Sequence, residues 1–205
     1  MDSFVNMLLL QEFTKNEDAF QFSTYFHRAA GGRLVAGPPW DFNLAMGNAR
    51  DFAAPEGFIL PGFSYSRELL RDARVFGLCR ERWKELRREG GAFSDERILE
   101  LIDEAVGEVG PAAGRHFGRY PEMLRPQRVL MFTATYPVDS FEAHARIVRD
   151  FLLRRGRWLD EAWAGMEGPE DLFSEEMARV EREADGVGTG WWSESGSPPL
   201  RRSGP

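Results

Sequence analysis

Leu9-Leu-Gln-Glu-Phe-Thr-Lys-Asn-Glu-Asp-Ala-Phe20 and Gly31-Gly-Arg-Leu-Val-Ala-Gly-Pro-Pro-Trp-Asp-Phe-Asn-Leu-Ala-Met-Gly-Asn48 are the two stretches that decide this chain. The first closes a helix. Phe4, Met7, Leu8, Leu10 and Phe13 form its apolar face, Ser3 is placed to cap it, and the pattern ends near Asn16. Phe20 to His27 is dense in aromatic and β-favouring residues, Ala29-Ala-Gly-Gly32 reads as a turn, and Arg33 to Ala36 as the returning strand. Gly37-Pro-Pro39 stops that strand and delivers Trp40-Asp-Phe-Asn43 into a loop.

This predicts one β-hairpin near 20–37, with Asp18 just before it and Asp41 just after it. Paired strands lie about 4.8 Å apart, so the residues flanking the open end are neighbours. Asp18 and Asp41 should face one cleft, close enough to share an ion. With Asn16 and Asn43 beside them they make a hard, all-oxygen site suited to Mg²⁺ or Mn²⁺. The competing reading is local: Asp18 caps a turn and Asp41 makes an Asx-turn after Pro39.

Beyond residue 65 the pattern turns helical. A short helical turn spans 67–70. Residues 73–88 carry Val75, Phe76, Cys79, Trp83 and Leu86 at helical spacing. Ser94 is an N-cap with acids in the first turn, followed by Ile98, Leu101, Ile102, Ala105 and Val109 as the inward stripe. A further helix is expected near 112–117, the longest over about 139–163, and a last one over 169–183. Trp40 and Trp83 read as core anchors, and Arg154-Arg155 with Arg157 as a solvated helix end. Residues 185–205, rich in Gly, Ser and Pro, read as a disordered tail. The fold class is α+β, mainly α: residues 1–165 as one unit, 166–184 a terminal helix, 185–205 the tail.

Composition excludes several classes. The net charge is −7 over 205 residues, against a protein that works by covering phosphate backbone, so no nucleic-acid partner is expected. The single cysteine, Cys79, forbids an intrachain disulfide and a cysteine-rich zinc site. His27, His116 and His144 share no ligand-like spacing. No run reaches the about 20 apolar residues of a membrane span, and Met1 to Gln11 has neither the basic start nor the small-residue site of a signal peptide. Gly31-Gly32 is not a phosphate loop, because no Gly-Lys-Ser/Thr follows. Only Lys15 and Lys84 are lysines, against 24 arginines, so few are available to a nucleotide's phosphates.

The two opening stretches, with Ser23-Thr-Tyr-Phe26 between them, resemble the CotH kinase family, the spore coat protein H-like atypical protein kinases. Leu69-Leu-Arg-Asp72, Arg82-Trp-Lys-Glu-Leu-Arg87, Ser94-Asp-Glu96, Ile102-Asp103 and Arg155-Gly-Arg-Trp-Leu-Asp160 resemble its helical region. The resemblance covers roughly 1–165. It implies a kinase-like C-lobe, one hairpin followed by helices, that phosphorylates serine in coat or secreted proteins with ATP and a divalent metal. By position, Asp18 matches the catalytic-loop aspartate and Asp41 the metal-binding one; Asn16 and Asn43, from the residue reading above, are the further candidate metal ligands. The family's usual Trp-Asp-Phe-Asp ends here in Asn43, which lowers the charge of the site. The implied setting is extracytoplasmic or the spore coat.

The family's nucleotide-binding N-lobe lies before the segment with which this sequence starts. The chain therefore reads as a C-lobe without its partner lobe, inactive by itself. The helix at 4–13 is then expected to leave Met7, Leu8, Leu10 and nearby Phe side chains uncovered. Three functions are compatible: a fragment of such a kinase, a non-catalytic kinase-like module that binds a protein partner, and a helical interaction protein whose aspartates only form turns.

Overall fold

The computed structural model describes residues 1–19, 22–50, 52–62, 64–124, 133, 134, 136 and 138–174. Helix α1 (Asp2–Thr14) runs through the centre. The hairpin follows as β1 (Phe26–His27) and β2 (Val35–Ala36), antiparallel, with Phe26 opposite Ala36 and His27 opposite Val35. Then come α2 (Ser64–Leu70), α3 (Ala73–Arg87), α4 (Asp95–Arg119) and α5 (Phe141–Gly165). The protein is mainly helical with a single two-stranded hairpin, as the sequence predicts.

Helix α1 packs against α3, α5 and β2. Val5, Leu8, Leu9 and Phe13 are buried among Val75, Phe76, Cys79, Trp83, Leu152, Leu159 and Trp163. The expected uncovered face of α1 is therefore absent: Leu8 and Phe13 are buried, while Phe4, Met7 and Leu10 are half-buried. The most exposed large apolar side chains sit on the hairpin and its flanks, with Phe22 at 74% and Trp40 at 58%. Trp40 is thus no core anchor. Trp83 is, with its indole N–H donating to Asp160 Oδ1 at 2.9 Å.

Four further expectations change. Ser3 does not cap α1. It lies inside the helix, and its Oγ accepts from Ala36 N at 3.3 Å, tying α1 to β2. The first strand is far shorter than 20–27, because Phe22 N and Ser23 N donate to Asp18 O in a turn and are lost to the ladder. Helix α2 starts at Ser64, three residues earlier than predicted. The two helices expected over 94–109 and 112–117 are one 25-residue helix running through Pro111.

Helix α4 is capped by Ser94, whose Oγ accepts from Arg97 N at 3.2 Å. It buries only Ile98 and Ala113. Of the predicted inward stripe, Leu101 and Val109 are 42% and 49% exposed, and Ala105 is exposed too. The distal part also holds Gly107, Gly110, Pro111, Gly114 and Gly118. In a helix interior each Gly is about 1 kcal/mol and Pro about 3 kcal/mol less favourable than Ala. Contacts to α5, Arg149 with Asp103 and Phe117 with Phe141 (ring centroids 6.3 Å apart), hold one side of it. Of the expected terminal helix, 169–174 are helical. The remainder of that helix and the 185–205 tail lie outside the described residues.

Candidate active site

The site begins where α1 ends. Lys15 turns left-handed (φ 51°, ψ 52°), and its N–H reaches back to Gln11 O and Glu12 O. Asn16 follows with its side chain sealed from solvent. Its Nδ2 donates to Gln11 Oε1 at 3.0 Å, and its Oδ1 accepts the Asp18 amide at 3.3 Å. Ala19 N donates to Asn16 O at 3.1 Å. A tight turn over 15–19 is the result, with the half-buried Asp18 at its outer side.

The loop after the hairpin is bound to that turn by its backbone. Glu17 N donates to Leu44 O at 3.0 Å, and Met46 N to Thr14 O at 2.7 Å. These two bonds lay 14–18 beside 41–46. Asp41 itself is exposed and left-handed (φ 58°), a conformation that a short polar side chain tolerates better than most. Partial burial raises the Asp18 carboxyl above its ordinary pKa, and the charge of Asp41 raises it further. The charge of Asp41 thus acts on Asp18, although 23 residues separate them. Asn43 is exposed, and its carbonyl accepts from Asn48 Nδ2 at 2.7 Å.

The far side of the loop is clamped as well. Ala134 N donates to Asn48 O at 2.7 Å, and Ala49 bridges Thr133. The Tyr136 hydroxyl donates to Gly47 O. Gly47 has φ 86°, and a Cβ there would lie 2.9 Å from the Phe151 ring and 3.0 Å from the Tyr136 oxygen. Only glycine lets the chain pass α5 this closely.

Under the turn lies a polar knot that the sequence reading misses. The Arg155 guanidinium, read as solvated, is buried and pairs with Glu12, which is buried as well. Arg155 also donates to Pro55 O at 2.6 Å, Gly57 O at 2.8 Å and Glu12 O at 3.0 Å. The Glu12 carboxylate accepts Ile59 N at 3.1 Å and Leu60 N at 2.9 Å. Lys15 Nζ donates to Ala54 O at 2.7 Å and to Glu56 O. A signal was present: Glu12 shares a helix face with Leu8 and Leu9, and Arg155 shares one with Leu152 and Leu159. The neighbours Arg154 and Arg157 are exposed, as expected.

A family model described as CotH kinase protein matches residues 1–159. The chain belongs to the CotH kinase protein family. The matched span takes in the turn at Asp18, the loop at Asp41, and all of α5 through Leu159. The chain is therefore a kinase-like protein. Kinases as a class depend on a nucleotide and a divalent metal, and this family points to a protein substrate. No curated protein and no solved structure matches the chain. Among the described residues no helix is long and apolar enough to cross a membrane.

Among the described residues no group of three or more His, Cys, Asp or Glu could hold a metal, so an all-protein cage is not offered. Asp18 and Asp41 are the carboxylates carried by the two loops that are bonded together, and the charge of Asp41 adds to the raised pKa of Asp18. Mg²⁺ retains several waters and needs only one or two carboxylates. Asn16, expected as a ligand, spends its oxygen on the Asp18 amide.

Proposed function

We propose that this chain is a CotH-type kinase polypeptide in which Asp18 serves catalysis and Asp41 metal binding, in the transfer of phosphate from ATP to serine in coat or secreted proteins. The observation that carries this reading is the pairing of the 14–18 turn with the 41–46 loop, through which the charge of Asp41 reaches Asp18. Asp18 is the general base. It takes the proton of the serine hydroxyl as that oxygen bonds to the γ-phosphorus, and the bond to the bridging oxygen breaks to release ADP. A raised pKa makes Asp18 a better proton acceptor than an ordinary carboxylate. Asp41, with Asn43, would hold Mg²⁺ or Mn²⁺, which when bound would supply positive charge to the phosphates. Asn16 aims Asp18 through the latter's amide. The setting we assign is extracytoplasmic or the spore coat.

Little transfer is expected from these 205 residues by themselves. Lys15 is committed to two carbonyls, and Lys84 lies on α3 with its ammonium on Glu81 at 2.8 Å. Phosphoryl transfer gains from a cation on the phosphates and closure around them, and neither lysine serves that need. The alternative, a non-catalytic kinase-like module that binds a protein, draws support from the exposed aromatic side chains of Phe22, Tyr25 and Trp40 beside the site. The deciding experiment measures Mn²⁺ or Mg²⁺ binding by calorimetry and labelled-phosphate transfer to a serine peptide, in the chain and in Asp18→Asn and Asp41→Asn. Metal binding that survives Asp41→Asn overturns the assignment.

A further inference from the structure

Gln11 is buried on α1, at 2% exposure. A side-chain amide in such a place needs hydrogen bonds to offset its lost hydration. Its Oε1 accepts from Asn16 Nδ2 at 3.0 Å, whereas the partner of its Nε2 is the sulfur of Met7, at 3.6 Å. A thioether is a weak acceptor. An apolar side chain would fill this space without burying an NH2 group on sulfur, so the amide answers to Asn16 rather than to the core.

Met7, Gln11, Asn16 and Asp18 form a hydrogen-bonded chain with one sense. The backbone N–H of Asp18 can only donate, and the Met7 sulfur at the other end can only accept. The two amides between them could each face either way, but one arrangement satisfies every link. Gln11 Nε2 donates to Met7 Sδ, Asn16 Nδ2 to Gln11 Oε1, and Asp18 N to Asn16 Oδ1 at 3.3 Å. Turning the Asn16 amide over would set its NH2 against the Asp18 N–H, donor against donor. Asn16 is sealed from solvent, so water does not stand in for Gln11. The backbone ties the same two residues, since Asn16 N donates to Gln11 O at 3.2 Å. We infer that Gln11 is a positioning residue for Asp18: by accepting from Asn16 Nδ2 it keeps the Asn16 oxygen on the Asp18 amide, and so fixes the turn that presents the Asp18 carboxylate. The inference rests on the reading of Asp18 as the base, whose carboxylate must lie within hydrogen-bond reach of the proton it takes.

The test follows amide hydrogen exchange residue by residue in the full chain by NMR. In Gln11→Met, which fills the space without an amide, the Asp18 N–H should exchange at least about tenfold faster, as for the loss of one hydrogen bond. Gln11→Leu should give the same pattern. The Asp18 carboxyl titration should fall toward its ordinary value in both, because a loosened turn uncovers the group. Gln11→Glu keeps an oxygen that accepts from Asn16 in either protonation state, and should return the exchange to within about threefold of the parent. Filling space would not give that rescue. Unchanged exchange in Gln11→Met and Gln11→Leu, or a change that Gln11→Glu fails to reverse, overturns the inference. So does an equal acceleration at Phe76 in α3, which marks a general loss of stability. Failure of the kinase reading shows separately, as metal binding that survives Asp41→Asn while Asp18 exchange still depends on Gln11.

Discussion

Arg155 and Glu12, 143 residues apart in sequence, form an ion pair from which solvent is excluded, with side-chain exposures of 0% and 1%. The pair joins α5 to the last turn of α1 and holds residues 55–60 against both. Because Lys15 and Asn16 follow directly, the position of Asp18 is fixed from below by this contact. Burial pulls the Arg155 guanidinium below its ordinary pKa, and the adjacent Glu12 charge opposes that pull.

Removing one partner leaves the other charge buried and unpaired, which costs about 3–5 kcal/mol. Glu12→Ala and Arg155→Ala should each lose that much in urea unfolding. Replacing both by apolar side chains, Glu12→Leu with Arg155→Met, is often harmless for buried pairs. Here it should fail. Ile59 N, Leu60 N, Pro55 O and Gly57 O would lose their partners, and each buried group left unsatisfied costs about 1–3 kcal/mol. A double variant as stable as the parent would show that the knot contributes nothing to the fold.

The pH dependence of Asp18 has a definite sign. Its folded pKa is raised, so the folded state binds this proton more tightly than the unfolded chain does. The resulting stabilisation is complete below the ordinary value of 3.8 and is lost as pH rises through the higher folded value. At neutral pH an ionised Asp18 is therefore a cost to the fold. Asp18→Asn should raise the neutral-pH melting temperature, and Asp41→Asn should move the Asp18 titration downward in carboxyl NMR. An unmoved titration would mean that burial alone perturbs Asp18.

Much of this arrangement was legible in the residues. The stripe Val75, Phe76, Cys79, Trp83 and Leu86 is buried as periodicity demands, and Ser94 caps its helix. The motif spacing put Asp18 and Asp41 on either side of a hairpin. What was not legible came from tertiary competition. Phe22 and Ser23 favour strand, yet their amides are drawn into the turn at Asp18. Two helices were expected over 94–109 and 112–117, but the chain runs through Pro111 as one helix, held on one side by α5. Arg155 looked solvated because its sequence neighbours are arginines, whereas the helical period turns it inward beside Leu152 and Leu159.

Gly47 is where the Asp41 loop passes α5. An alanine Cβ would meet the Phe151 ring at 2.9 Å, and the left-handed backbone is strained for any side chain. Gly47→Ala should destabilise the protein by about 1–3 kcal/mol, the usual cost of overpacking. It should also loosen the electrostatic link between Asp41 and Asp18, because the loop must shift to make room. Gly57→Ala is the control: it too is left-handed but meets nothing within 4 Å. Equal losses in both variants would assign the whole effect to backbone strain and remove the steric argument.

The last prediction separates metal binding from phosphate transfer. An ion that binds only the folded state stabilises it by mass action, by about 1.4 kcal/mol at about ten times its Kd. Mg²⁺ or Mn²⁺ should therefore raise the melting temperature of the chain. The gain should be largest near neutral pH, where Asp18 is ionised and its repulsion with Asp41 is fully developed. Asp41→Asn should abolish the gain. Asn43→Asp should enlarge it, since a third carboxylate adds charge to a site that now has two. Labelled-phosphate transfer to a serine peptide should stay near background in all these proteins, because neither lysine is available to the phosphates. Robust transfer by the parent chain, lost in Asp18→Asn, would show that the two aspartates and their loops suffice for catalysis and that the cation on the phosphates is an arginine.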